Sequence, residues 1–192
     1  MKRLNEMEKS KTKSKTEKEF ESPDENFIVL TDTRNGDYFE AVMDYVGAMS
    51  KAGGEGVYFT TSRQYRFISR EMQKRSIKTN SVLFLDCISA MAGDRGSKSS
   101  VVIENPSDLE EISTELGKLL DKLDSDKKFL VIDSVSALLM YNSINAVREF
   151  TVFLSEKLKK KGVKRMLAVI ENEDPDPLKQ ILTSICDKSI YI

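Results

Sequence analysis

From Asn26 to Ile192 the sequence alternates short β-rich apolar runs with longer stretches of helical periodicity, and this alternation constrains the fold more than any other feature. The runs "NFIVLT", "GVYFTT", "SVLFLDCIS", "KKFLVIDS", "VKRMLAVIEN" and "DKSIYI" read as strands, several of them apolar without interruption, as strands buried on both faces are. Between the first two, Phe39, Val42, Met43, Val46 and Met49 recur at helical spacing until Gly53 and Gly54 stop the pattern. "RQYRFISREMQKRS" predicts a helix with Tyr65, Phe67, Ile68 and Met72 as its apolar members. "VVIENPSDLEEISTELGKLLDKL" predicts a short extended piece, an N-cap at Ser107, and a helix burying Leu109, Ile112, Leu116, Leu119, Leu120 and Leu123. Two further helices are predicted in "INAVREFTVFLSEKLKKKG" and "DPLKQILTSIC". Connections of this length are too long for hairpins, so the expected fold class is a three-layer α/β/α domain with a mostly parallel sheet. In such folds ligands lie beyond the carboxyl ends of the strands, which directs attention to the residues after strands one, three and four.

Residues 1–25 are nearly all charged or hydroxylated and offer too little apolar surface to offset the entropy of ordering, so they are expected to form a disordered or weakly structured tail before a domain at 26–192. The "KSKTKSKTEK" stretch is the one part of it with a local excess of lysine. With 30 basic and 31 acidic residues, no global field draws the chain to nucleic acid or an anionic membrane, and neither partner is expected. The absence of histidine excludes His-based acid-base catalysis, Ser-His-Asp triads and most zinc chemistry. Cys87 and Cys186 have no ligand spacing and read as buried small apolar residues. No apolar run approaches the ~20 residues that cross a bilayer, nor is there a hydrophobic segment of signal-peptide length, and a cytoplasmic location is expected.

The stretch after the first strand, "TDTRNGDY", has the outline of a phosphate loop. A working G-x-x-x-x-G-K-S/T loop needs glycines so that backbone N–H groups can curl around phosphate, a lysine for the outer phosphates, and a hydroxyl for Mg2+. Aligned by distance from the strand, Thr31 takes the first glycine position and Gly36 the second, with Asp32, Thr33, Arg34 and Asn35 between. Asp37 then occupies the lysine position and Tyr38 the hydroxyl position. At about 4 Å and an effective dielectric near 20 one unit-charge contact is worth on the order of 4 kcal/mol, so reversing its sign costs roughly twice that before screening. Arg34 offsets only part of this, because a variable position is not aimed at the phosphates as the lysine is. An Asn-Gly turn feeding a helix accounts for "RNGD" without any ligand.

The fourth strand ends in Asp133 and continues as Ser134, Val135, Ser136, Ala137 and Leu138. An aspartate here either holds a metal through water or caps neighbouring loop amides. The string "LVIDSVSALL" closely resembles the Walker B segment of RecA-like ATPases of the KaiC and RadA branch. "GGEGVYFTTSRQYRFISREMQKRSI", "ENPSDLEEISTELGKLL" and "CDKSIYI" are similar to the segments that fall in the same order there, so the resemblance spans residues 26–192. It implies a RecA-like P-loop NTPase fold with a Walker A position at Thr31, Gly36, Asp37 and Tyr38 and a Walker B position at Asp133 and Ser134. Members that hydrolyse ATP place glutamates just after strand two, whereas Thr60–Gln64 holds no carboxylate.

Loss of the lysine, the hydroxyl and the catalytic acid together implies a catalytically inactive homologue that works by binding protein in regulation or signalling. The partner implied is an active RecA/KaiC-like paralogue or a second copy, with no ATP, Mg2+ or other cofactor expected. Two alternatives stay open at this point. Asp32, Asp86 and Asp133 at neighbouring strand ends would form a Mg2+ site for phosphate-ester chemistry, or Arg34, Asp32, Asp86 and Asp133 would retain ligand contacts without turnover. "SRQYRFISREMQKR" is either a basic, aromatic docking surface or a solvated amphipathic helix.

Overall fold

The computed structural model describes residue 20 and residues 25–31, 38–171 and 174–192. Its strands are β1 (Phe27–Thr31), β2 (Glu55–Thr60), β3 (Val82–Asp86), β4 (Ser100–Val102), β5 (Lys128–Ile132), β6 (Val163–Ile170) and β7 (Lys188–Tyr191). The α-helices among the described residues are α1 (Tyr38–Lys51), α2 (Tyr65–Lys74), α3 (Leu109–Asp121), α4 (Ile144–Lys160) and α5 (Asp176–Ile185). All seven strands join one parallel sheet in the order β4-β3-β2-β5-β6-β1-β7.

Alternation along each strand divides the core into two layers. Ile28, Leu30, Tyr58, Phe84, Phe129, Val131, Leu167 and Val169 pack under α1 and α2, whose Val42, Met43, Tyr45, Val46, Ile68 and Met72 are buried against them. Phe27, Val29, Val57, Phe59, Leu85, Leu130, Ile132 and Ala168 face the opposite way, under α3, α4 and α5. Both faces of the sheet are therefore covered, which is why its central strands read as unbroken apolar runs. Gly56 in β2 has a packing reason: a Cβ there would run into the Phe129 ring, so the smallest residue lets that ring cross over β2.

Two local readings change. The short extended piece "VVIE" supplies the seventh strand, with Val101 paired to Leu85 at the sheet edge. The N-cap of α3 is Asp108, whose Oδ1 accepts from the Glu111 N–H at 2.8 Å, while Ser107 bonds Asn105. Phe67, one of the apolar members of α2, is 45% exposed, because Tyr65, Ile68 and Met72 already fill the buried stripe of that helix. Phe20, within the stretch expected to be a charged tail, is 3% exposed and meets the Tyr45 ring edge-on at 5.1 Å.

Candidate functional site

The sheet order creates a switch point between β2 and β5. The chain leaves β2 towards β3 through α2 on one face and leaves β5 towards β6 through α4 on the other, so the two connections diverge at the strand ends. The register Phe59↔Ile132 then sets Thr60 beside Asp133.

Asp133 is completely buried, and the β2 end closes over it. Its Oδ1 accepts from the Thr61 N–H at 2.9 Å and faces the Thr61 hydroxyl at 3.2 Å. Its Oδ2 accepts from Ser62 Oγ at 2.9 Å and faces Thr60 Oγ1 at 2.7 Å. Each threonine hydroxyl has one proton, and each has a carbonyl as second acceptor, Arg63 O for Thr60 and Ser134 O for Thr61. Burial pushes the Asp133 carboxyl above the usual carboxylate range, and the bonds from Thr61, Thr60 and Ser62 pull it back only in part. The Tyr58 hydroxyl is fully buried close enough to feel the Asp133 carboxylate, and within hydrogen-bond distance it has no partner among the described residues. Burial first, and the Asp133 charge second, hold it well above the ordinary phenol value.

Ser134 follows with a different task. Its hydroxyl donates to Glu171 Oε1 at 2.7 Å and accepts from the Ala137 N–H at 3.3 Å, tying the end of β5 to the end of β6 and capping the turn at Ser136–Met140. Next to it, burial raises the Asp174 carboxyl, opposed by a bond from Ser136.

Arg63 lies where the resemblance looks for a carboxylate. Its Nη1 donates to the Tyr38 hydroxyl at 2.9 Å, and its guanidinium stands 4.6 Å from the Phe39 ring centre and 5.3 Å from that of Tyr38. The hydroxyl position of the phosphate-loop alignment is thus joined to the loop after β2 by a bond and one cation–π contact, with a second such contact at the neighbouring Phe39.

Asp86 is also completely buried, in a separate cage. Oδ1 accepts from the Ile88 and Ser89 N–H groups at 2.7 and 2.8 Å, and Oδ2 accepts from the Tyr65 N–H at 2.7 Å and Ser89 Oγ at 2.6 Å. It caps α2 from another strand, which explains why Gln64 at the head of that helix makes no side-chain cap.

Asp86 and Asp133, expected with Asp32 at neighbouring strand ends, are held in separate cages at strands that are not adjacent. β2 separates the β3 and β5 ends. Asp32, Arg34, Gly36 and Asp37 lie outside the described residues. Of the remaining Walker A positions, Tyr38 meets Arg63, while Thr31 is buried and its hydroxyl has no hydrogen-bond partner among the described residues. Among the described residues no acidic or cysteine cluster is arranged to hold a metal, and no helix is long and apolar enough to cross a membrane. Cys87 is buried, and its thiol is pushed up to about 12, chiefly by that burial.

Sequence reasoning missed Thr60, Thr61, Ser62, Arg63 and Glu171. The hydroxyl run "TTS" is visible, but its target appears only once β2 is known to lie beside β5.

Solved structures share this architecture. The KaiC-like protein PH0186 from Pyrococcus horikoshii OT3 superposes with a TM-score of 0.59 at 16% identity, over 86% of this chain and 70% of that one. The flagellar accessory protein FlaH from Methanocaldococcus jannaschii gives 0.58 at 12% identity, over 88% and 71%. At these identities the likeness is one of fold, and the fold is RecA-like. None of the curated proteins matches the chain. A family model described as a family of unknown function, DUF7504, matches residues 25–192, nearly the whole chain, and the protein belongs to that family.

Proposed function

We propose that this protein is a non-catalytic relative of the RecA/KaiC-like ATPases that acts as a regulatory or signalling protein-interaction module. The observation that carries the reading is the enclosure of Asp133, fully buried under the end of β2 with donors from its own chain against both oxygens. A metal-bound water at a Walker B aspartate needs a free carboxylate oxygen facing the nucleotide, whereas both Asp133 oxygens face donors from Thr60, Thr61 and Ser62. Arg63 adds a cation where catalysis would call for a base, and its bond to Tyr38 engages the residue aligned with the metal-binding hydroxyl. Asp37 contributes an anion at the lysine position. The residues present do not fit a magnesium nucleotide, and no step of chemistry is assigned to the site.

The partner proposed is an active RecA/KaiC-like paralogue or a second copy of this chain, in the cytoplasm and without a cofactor. Phosphate release from ATP by the purified chain tests the catalytic half of the proposal. No release above a protein-free blank is expected, including for Arg63→Glu, which returns a carboxylate to the loop after β2. Turnover by the wild type that disappears in Asp133→Asn would overturn it.

A further inference from the structure

The positive charge on the face of α2 is unevenly neutralised. Towards the end of the helix Lys74 and Arg75 both pair with Glu71, and Arg75 also reaches Glu40. Near its start Arg66 donates from Nε to Tyr65 Oη at 3.1 Å, pairs through the same nitrogen with Asp94 at 2.8 Å, and sets its guanidinium 5.6 Å from the Tyr65 ring centre. No described contact uses its terminal nitrogens, which leaves the two-pronged end of the guanidinium free for a carboxylate. Among the described residues no ion pair involves Arg70 or Arg95, and both are exposed.

An open groove of about 520 Å3 lies beside Arg66, lined by Gln64, Arg66, Gly93, Asp94 and Arg95. Arg70 is one helical turn further along, and exposed Phe67 lies on the adjacent face, its ring 5.8 Å from that of Phe39. Exposed aromatic surface edged by arginines is the composition found at the energetic centre of protein interfaces.

We propose that this groove, with the Arg66–Phe67–Arg70 face next to it, binds an acidic segment of a partner protein that carries an apolar side chain beside its carboxylates. The proposal rests on the protein-interaction reading above and gives the partner's chemistry. Charge complementarity sets the acidic character, and Phe67 sets the apolar neighbour. A nucleic-acid backbone fits less well: Asp94 stands in the groove, the cations form a patch rather than a track, and the net charge of the whole chain is −1.

The test is fluorescence anisotropy on the full chain with a labelled twelve-residue peptide of glutamates interrupted by Phe and Leu. Its Gln-for-Glu counterpart and a single-stranded oligonucleotide serve as the other arms. The acidic peptide is expected to bind and to weaken as salt is raised. Arg66→Ala with Arg70→Glu is expected to weaken it about tenfold or more, while Lys159→Ala on α4 leaves it unchanged. Because Arg70→Glu removes no described contact, unaltered melting of that single variant separates lost binding from lost folding. Absence of binding, equal binding of the Gln peptide, insensitivity to the arginine variants, or tighter binding of the oligonucleotide at this face would each overturn the proposal. Failure here with no nucleotide binding removes only the groove, whereas nucleotide turnover removes the reading beneath it.

Discussion

Replacing Asp133 by alanine tests whether its carboxylate is a structural clasp. The side chain is fully buried, and four donor atoms surround it. Three are hydroxyls with an alternative: Thr60 turns to Arg63 O, Thr61 to Ser134 O, and half-buried Ser62 to water. The Thr61 N–H has none, since Thr61 is 4% exposed and its backbone position is fixed by β2. One orphaned buried donor costs about 1–3 kcal/mol, and losing the charge-assisted bonds adds to that, while release from desolvating a carboxylate subtracts. The net expected loss is about 2–4 kcal/mol. Asp133→Asn keeps an acceptor for Thr61 and is expected to stay within about 1 kcal/mol of the wild type. Urea unfolding followed by circular dichroism reads both, as a midpoint shift with unchanged slope. The same alanine penalty is expected with and without magnesium and ATP. A variant as stable as the wild type, or one whose penalty appears only with nucleotide present, would refute the clasp.

The pH dependence has a fixed sign. The folded value for Asp133 is raised above the unfolded value of about 3.9, so its contribution is fully present below that pH and is lost as pH rises through the folded value. Wild-type stability is therefore expected to fall relative to Asp133→Asn as pH is raised from about 4, and a parallel pair of curves in pH-resolved urea melts would contradict this. Gly56→Ala drives a Cβ into the Phe129 ring in the middle of the sheet and is expected to cost about 1–3 kcal/mol, measured by thermal unfolding. Phe20→Ala removes a buried ring from Tyr45 and is expected to cost about 3 kcal/mol, and an unchanged melting temperature would show that the contact carries no stability.

Much of this fold is legible because a parallel sheet covered on both faces writes itself as apolar runs. "NFIVLT" and "KKFLVIDS" became β1 and β5, and the helix of Phe39, Val42, Met43, Val46 and Met49 became α1. Val101 and its neighbours were harder, since a three-residue edge strand has too few positions to show a period. The place of Phe67 stayed open because an aromatic at helical spacing is indistinguishable from a core residue until the helix's rotation is known.

The candidate site was legible only in its isolated letters. Asp133 stood out at a strand end, and its capping interpretation matches the cage observed, but nothing local links it to residues more than seventy positions earlier. That link is made by the β2–β5 pairing, a property of sheet order that spacing along the chain does not encode. Asp86 shows the same limit: it caps α2 across 21 residues, so the helix start carries no cap of its own.

We propose that the strand-end aspartate of this RecA-like scaffold serves the fold instead of a nucleotide. Calorimetric titration of the wild-type chain with ATP and Mg2+, repeated with Asp133→Asn, addresses it most directly. No saturable heat from either protein up to millimolar nucleotide is the expected result. Saturable, magnesium-dependent binding by the wild type that vanishes in Asp133→Asn would contradict the account.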